Sequence, residues 1–532
     1  MEILDRIVID NQGRKLRLLD PSPLTKAPED FQLSRVSRPF RRYFSLVANS
    51  LVMIFLVQSF SAQLIGILNG EPLYVIGCSF VTFPCIGVLI FLHRPKLVEV
   101  RLLTIHDNGT YAHPIPEGGS IQSPMPTKMN RFLVRDDSII DTPPSFWIWS
   151  VFVLCLCISF VVAILEILGG DFGLIISLVL ALPMTLILFS IPVYAWWASS
   201  NSWIGIPTRL RDAESWLIAG MAAGIPAILV NSWLTPALVP ASWSSGTEEF
   251  IIYTFSAPIG EELFKFLAVL CFFSYIKGPK TGFQVGFTVG LGFAITENFL
   301  YLIMSYSGGG FTALFLTSLI RGIGSIPGHA VWTSFSGAAL GWWLNNHNNK
   351  AKIIFFTKKI STKSMDIIES IGIDVDMDGD ISGFDGPEYT MLTALEDAQN
   401  PNNSIRWKVS EDNSEQIFTS LIDSKNLNLW KLSEPRTPKD ENKLVNVSNI
   451  SNKIKIIPPK SIIAGLFIAI FGHALWNGSE TILSEFGKLI GLNEDIIILL
   501  SLFWIFFLVI TVLLISFLLM RGINTISDTD YS

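Results

Sequence analysis

Charge is scarce in this chain. Only 16% of its 532 residues are Asp, Glu, Lys or Arg, against 50% hydrophobic, and so lopsided a balance excludes an ordinary soluble globular protein. The net charge of -7 comes without a basic patch, because lysines and arginines stand in short segments between apolar runs, so nucleic acid is not an expected partner. Cysteine is equally sparse: all five, Cys78, Cys85, Cys155, Cys157 and Cys271, lie in apolar runs with no CxxC spacing, which excludes a disulfide framework. Histidine occurs only six times. There is no HExxH and no GxSG with a partner histidine, and Leu168-Gly-Gly-Asp171 does not make a GxGD pattern.

What is present is a succession of apolar runs of about 20 residues, each long enough to cross a bilayer. They predict an all-α polytopic membrane protein with about ten transmembrane helices, near 45–68, 73–92, 146–168, 173–197, 215–235, 250–276, 282–304, 311–346, 461–484 and 496–520. The run 311–346 contains Arg321 and Pro327 and is expected to be a short entering helix followed by a second from about Pro327. The arm 1–44 holds Arg6, Arg14, Lys15, Arg17, Arg35, Arg38, Arg41 and Arg42, whereas the next short loop has no basic residue, so the N-terminus is expected on the cytoplasmic side. Ten crossings then place the inserts 93–145 and 347–460 and the tail 521–532 on that side too. In the first insert, Leu97–Ile105 followed by Asp107-Asn-Gly suggests a small strand-rich hairpin. The second is polar, and its later part, 399–452, reads as a flexible linker.

Within that second insert stands Asp374-Val-Asp-Met-Asp-Gly-Asp-Ile-Ser-Gly-Phe-Asp385. Asp374, Asp376 and Asp378 fall at positions 1, 3 and 5 of a 12-residue loop, Gly379 at the turn, Asp380 at 7 and Ser382 at 9, the spacing that wraps oxygen ligands around Ca²⁺. Asp385 replaces the usual bidentate glutamate at position 12. The loop is EF-hand-like, and calcium is its expected ligand.

The sharpest anomaly is Ala257-Pro-Ile-Gly-Glu-Glu-Leu-Phe-Lys-Phe-Leu267, which sets two carboxylates and a lysine inside an apolar run. Each charge at mid-membrane depth costs about 2.5 to 3.5 kcal/mol, so Glu261, Glu262 and Lys265 require compensation. Taken alone, a Glu–Lys pair one turn apart can be a structural ion pair. The following span, however, adds Glu297 and Asn298 behind a stripe of Gly282, Gly286, Gly290 and Ala294 that lets another helix approach closely. The next brings His329, and the ninth brings His473 with Asn477 one turn later. Several spans thus deliver polar groups to similar depths.

These motifs resemble those of the PrsW family of intramembrane proteases. Glu261-Glu-Leu-Phe-Lys265 is similar to its EExxK motif, Phe293-Ala-Ile-Thr-Glu-Asn298 to FxxxEN, and His329 and His473-Ala-Leu-Trp-Asn477 to its two histidine motifs, in the family's order. The family is distantly similar to the CAAX prenyl endopeptidase group. The resemblance covers roughly 203–346 and 460–485, and departs from the family in the polar insert between the histidine motifs and in the extra N-terminal spans. It implies hydrolysis of a peptide bond in a membrane-protein substrate by a water activated at Glu261 or Glu262. It implies that His329, His473 and Glu297 resemble a two-histidine, one-glutamate zinc set, with a metal-free version in which the histidines and Asn298 or Asn477 stabilise the oxyanion. The rivals are an ion- or proton-coupled transporter, which also uses Glu, His and Lys at mid-depth, and a catalytically silent scaffold or receptor.

Overall fold

Apolar runs separated by short polar joints leave the chain little choice but to form long helices and pack them side by side. A computed structural model describes 39–93, 97–114, 120–135, 142–206, 208, 210–240, 242–370 and 454–526, together with the short strands Arg6–Ile9, Lys15–Leu18, Leu24–Lys26, Leu33–Arg35 and Trp430–Leu432. The calcium-type loop 374–385 lies outside these residues, as does all of 399–452 except the last of those strands.

Helices α1 (Pro39–Asn69) and α2 (Pro72–His93) form an antiparallel pair. Strands β1 (Leu97–Pro114) and β2 (Ser120–Arg135) follow, with Leu24–Lys26 parallel to β2 on its other side. The expected turn at Asp107-Asn-Gly is instead an interior stretch of β1. Gly109 is needed there because a Cβ would stand 2.6 Å from the Thr127 backbone of β2. The strand element and the membrane helices belong to separate compact units.

The helices continue as α3 (Ser145–Leu168), α4 (Gly170–Leu188), α5 (Ile191–Ile204), α6 (Leu210–Ala222), α7 (Gly224–Leu229), α8 (Thr235–Leu238), α9 (Ser245–Ile251) and α10 (Ala257–Leu270). Then come α11 (Pro279–Ile320), α12 (Ile326–Leu344), α13 (His347–Ser370), α14 (Ile462–Leu489) and α15 (Glu494–Asn524). Asn493 caps α15 through the Ile496 N–H, with Glu494 and Asp495 in its first turn and Arg521 in its last, the charge order the helix dipole favours.

Among the described residues eight stretches are long and apolar enough to cross a bilayer, which makes this a multi-pass membrane protein; the expected count of about ten is not reached. Two places account for the difference. The helical stretch through α9 and α10 carries too many charges to qualify on composition, and Pro279–Leu344 counts as one stretch. Inside that stretch α11 is broken at Gly309 and Gly310, where Gly310 has φ +59°, a conformation only glycine adopts freely. Glu166 of α3 receives the Phe311 N–H at 2.7 Å and so caps the helix that restarts there.

The core is α12 packed on the first half of α11, Pro279 to Phe299, where nearly every residue is buried. The glycine stripe does what its spacing predicts. A Cβ on Gly286 would stand 2.6 Å from the Thr333 carbonyl oxygen, and one on Gly282 or Gly290 would meet the carbonyls of Gly337 or His329. Peripheral helices show the opposite pattern: Phe80 on α2 and Phe503 on α15 are 78% and 71% exposed, as lipid-facing residues should be.

Candidate active site

Three prolines shape the site. Pro258 lacks an N–H and its ring crowds the carbonyl four residues back, so the helix ahead of it widens into a π turn at Ile252–Ser256. That turn is closed by the Ala257 N–H on the Ile252 carbonyl. Val230–Leu234 before Pro236 and Arg321–Ser325 before Pro327 are built the same way, closed by Thr235 on Val230 and by Ile326 on Arg321. In each turn the carbonyl opposite the proline nitrogen loses its main-chain donor. The Trp196 indole N–H supplies one to Gly322 at 2.9 Å, and the Asn477 amide supplies one to Tyr253 at 3.2 Å.

The turns aim polar side chains inward. On α10, Glu262 and Lys265 are wholly buried and Glu261 nearly so. Lys265 Nζ donates to Glu262 Oε1 at 2.7 Å and lies over the Phe293 ring, 4.1 Å from its centre. Glu262 Oε1 is also 3.1 Å from His473 Nδ1, and its Oε2 accepts from Thr333 Oγ1 at 3.0 Å. Both oxygens of Glu262 are therefore engaged, and His473 is oriented by one of them.

Glu261, one residue earlier, is poorly satisfied. Its Oε1 has a long 3.4 Å contact from Asn231 Nδ2. Its Oε2 is buried with no hydrogen-bond partner, standing 3.7 Å from His473 Nε2 and 3.8 Å from Lys265 Nζ. A cavity of about 180 Å³ opens beside it, lined among others by Asn231, Tyr253, Glu297, Tyr301 and Asn477.

A second group of charges backs His329. Glu297 Oε2 is 2.7 Å from both His329 Nε2 and Arg321 Nη2. The Arg321 Nε donates to Asn298 Oδ1 at 3.1 Å, and its guanidinium lies 4.1 Å over the Tyr301 ring. Asn298 Nδ2 donates to the Phe189 carbonyl at 2.9 Å, at the joint between α4 and α5 where main-chain acceptors are free. His329 Nδ1 is 3.0 Å from Lys265 Nζ, and the His329 and His473 rings are 4.8 Å apart and nearly perpendicular.

Glu261, His329 and His473 each offer a ligand atom within 4.8 Å of the others, and all three are buried, so the group can hold a metal ion. The undonated Glu261 Oε2 and the lone pair of His473 Nε2, freed because Nδ1 serves Glu262, fit that use. His329 would have to exchange one of its present partners, Lys265 or Glu297, for the ion.

The arrangement differs from the expected one in two respects. Glu297, placed among the ligands from sequence, is drawn to the Arg321 guanidinium and holds the far side of His329, while Glu261 takes its place in the converging group. Asn298 spends its amide on a main-chain carbonyl rather than facing the cavity. Glu261, Glu262, Lys265, His329 and His473 come together as expected, and Asn477 lines the cavity. Arg321, Thr333 and Asn231 were missed as members of the site. A signal existed for Arg321, because an arginine within an apolar span is itself a functional pointer.

No curated protein and no solved structure matches the chain. His473 and Asn477 stand outside the stretch that matches a family, yet α14 returns them to the same point. That stretch, residues 214–362, carries the other site residues and matches the PrsW family intramembrane metalloprotease.

Proposed function

We propose that this chain is an intramembrane endopeptidase of PrsW type that hydrolyses a peptide bond of a membrane-protein substrate. The observation that carries the reading is Glu261: a buried carboxylate with one undonated oxygen, facing two histidines at the edge of a cavity. Glu262 is saturated by Lys265, His473 and Thr333, so of the two adjacent carboxylates Glu261 is the one free to take a proton from water. Its Oε2 faces the histidines, and its Oε1, held only by Asn231, is left for that proton. Glu262 fixes the tautomer of His473, and Glu297, itself fixed by Arg321, does the same for His329. The second amide hydrogen of Asn477 serves the developing oxyanion. When bound by Glu261, His329 and His473, a zinc ion would act as a Lewis acid toward water and the scissile carbonyl.

The full-length protein in proteoliposomes with a single-span reporter provides the test. Cleavage should vanish with Glu261→Gln and persist with Lys280→Ala. Loss on exhaustive chelation, restored by zinc, would assign the metal-assisted form, and full activity without bound metal the metal-free one. Proton-coupled solute uptake without any cleavage would overturn the reading in favour of a transporter.

A further inference from the structure

The three π turns are not equivalent. Two of their stranded carbonyls receive a side-chain donor, Trp196 for Gly322 and Asn477 for Tyr253. The third stranded carbonyl is that of Asn231, opposite Pro236, and among the described residues no side chain donates to it. Asn231 carries a second acceptor in the same condition. A carboxylate only accepts, so the Asn231 NH₂ must be the end facing Glu261 Oε1, and its Oδ1 is buried without a partner. Asn231 lines the cavity beside the proposed base, and its buried, undonated Oδ1 is costly unless a ligand brings the donor.

The chemistry of that ligand follows. A helical segment keeps its N–H groups for itself, whereas an extended backbone presents them along its edge. We propose that Asn231 is the docking point for the unwound, extended backbone of a transmembrane substrate next to its scissile bond, accepting substrate N–H groups at Oδ1 and at its own carbonyl. The proposal rests on the peptidase reading of the site. Ile228, Ile252 and Leu300 line the same cavity and give an apolar wall for the side chain of the docked residue. Asn231 is thus a substrate-binding residue, distinct from the groups that move protons.

Binding can be read without turnover in full-length protein carrying His473→Ala, in detergent micelles. The probe is a fluorescein-labelled single-span peptide of Leu and Ala with a central Gly-Pro pair to unwind it, followed by anisotropy. Each central amide is replaced in turn by an ester, which deletes one N–H. One or two ester positions should weaken binding about fivefold each. Asn231→Ala should weaken the all-amide peptide by a similar factor and abolish the penalty of one ester. Pro236→Ala, which offers the Asn231 carbonyl an N–H from its own helix, should abolish the penalty of the other. The proposal is overturned if no ester weakens binding, if the ester penalties persist unchanged in both variants, or if the all-amide peptide does not bind. Cleavage enters none of these outcomes. A chain that binds with this pattern yet never cuts a reporter would refute the peptidase reading and leave the docking residue standing.

Discussion

Glu99 in β1 and Glu262 in α10 are both carboxylates with every oxygen engaged, in very different solvents. Glu99 accepts from Arg131 Nε at 2.9 Å and Arg101 Nε at 2.7 Å with its side chain 27% exposed, while Glu262 meets Lys265, His473 and Thr333 with none. Water shares the charge of Glu99, so its pairs are worth less than about 1 kcal/mol. Nothing shares the charge of Glu262, and breaking a buried pair of that kind costs about 3 to 5 kcal/mol. Full satisfaction is optional in the first region and compulsory in the second. The undonated oxygen at Glu261 is the exception in that second region, and the proposed role of Glu261 would account for it.

The largest break in this comparison is Glu261→Gln. Cleavage of a single-span reporter should fall by about 10² to 10⁴-fold, while thermal unfolding in detergent barely moves, because Oε2 gives up no hydrogen bond. Glu262→Gln should show the reverse emphasis. It leaves Lys265 buried without its closest counter-charge and should lower stability by about 3 to 5 kcal/mol, visible as a large drop in melting temperature. Arg321→Met removes the partner that holds Glu297 and should cost about 10- to 100-fold in activity. Arg321→Lys should recover only part of it, since lysine cannot reach Glu297 and Asn298 together in a planar fork. Equal activity of wild type and Arg321→Met would remove Arg321 from the site.

Glu99→Gln should be the smallest effect, under about 1 kcal/mol, and it carries a pH signature. Hydrogen bonding from Arg131, then from Arg101, holds the Glu99 carboxyl below its ordinary 4.5. Its contribution is therefore whole above about 4.5 and is lost as the pH falls below that value. Acid unfolding of wild type and Glu99→Gln should converge in that window, and curves that stay parallel through it would show that the pair contributes nothing.

Much of the fold was legible because long apolar runs have one structural solution in a bilayer, and the charged exceptions within them stand out. Glu261, Glu262, Lys265, His329 and His473 stand out by that contrast, and the fold brings them together. The π turns were not legible, since Pro236, Pro258 and Pro327 each announce an irregularity without saying how the freed carbonyl will be met. For Pro327 and Pro258 that answer lies in Trp196 and Asn477, which are far away in sequence. Glu297 shows a related limit: spacing places it near the histidines, where it stands, but cannot reveal that Arg321 also reaches it. At Asp107-Asn-Gly the local turn chemistry pointed to a hairpin bend, and close contact with Thr127 kept the strand straight.

The glycine seam between α11 and α12 bears on how steady the site is. With Gly286 and Gly290 set against the carbonyls of Thr333 and His329, the main chains themselves touch, and the Glu297–His329 spacing is set by two backbones rather than by rotamers. His473 arrives on a helix that meets α12 twice, at Gly472 against the Trp332 indole and at Gly465, where a Cβ would stand 2.9 Å from the Phe335 carbonyl oxygen. The polar cluster is thus held from both sides of α12 by glycine contacts, so its geometry follows from how closely three helices approach one another.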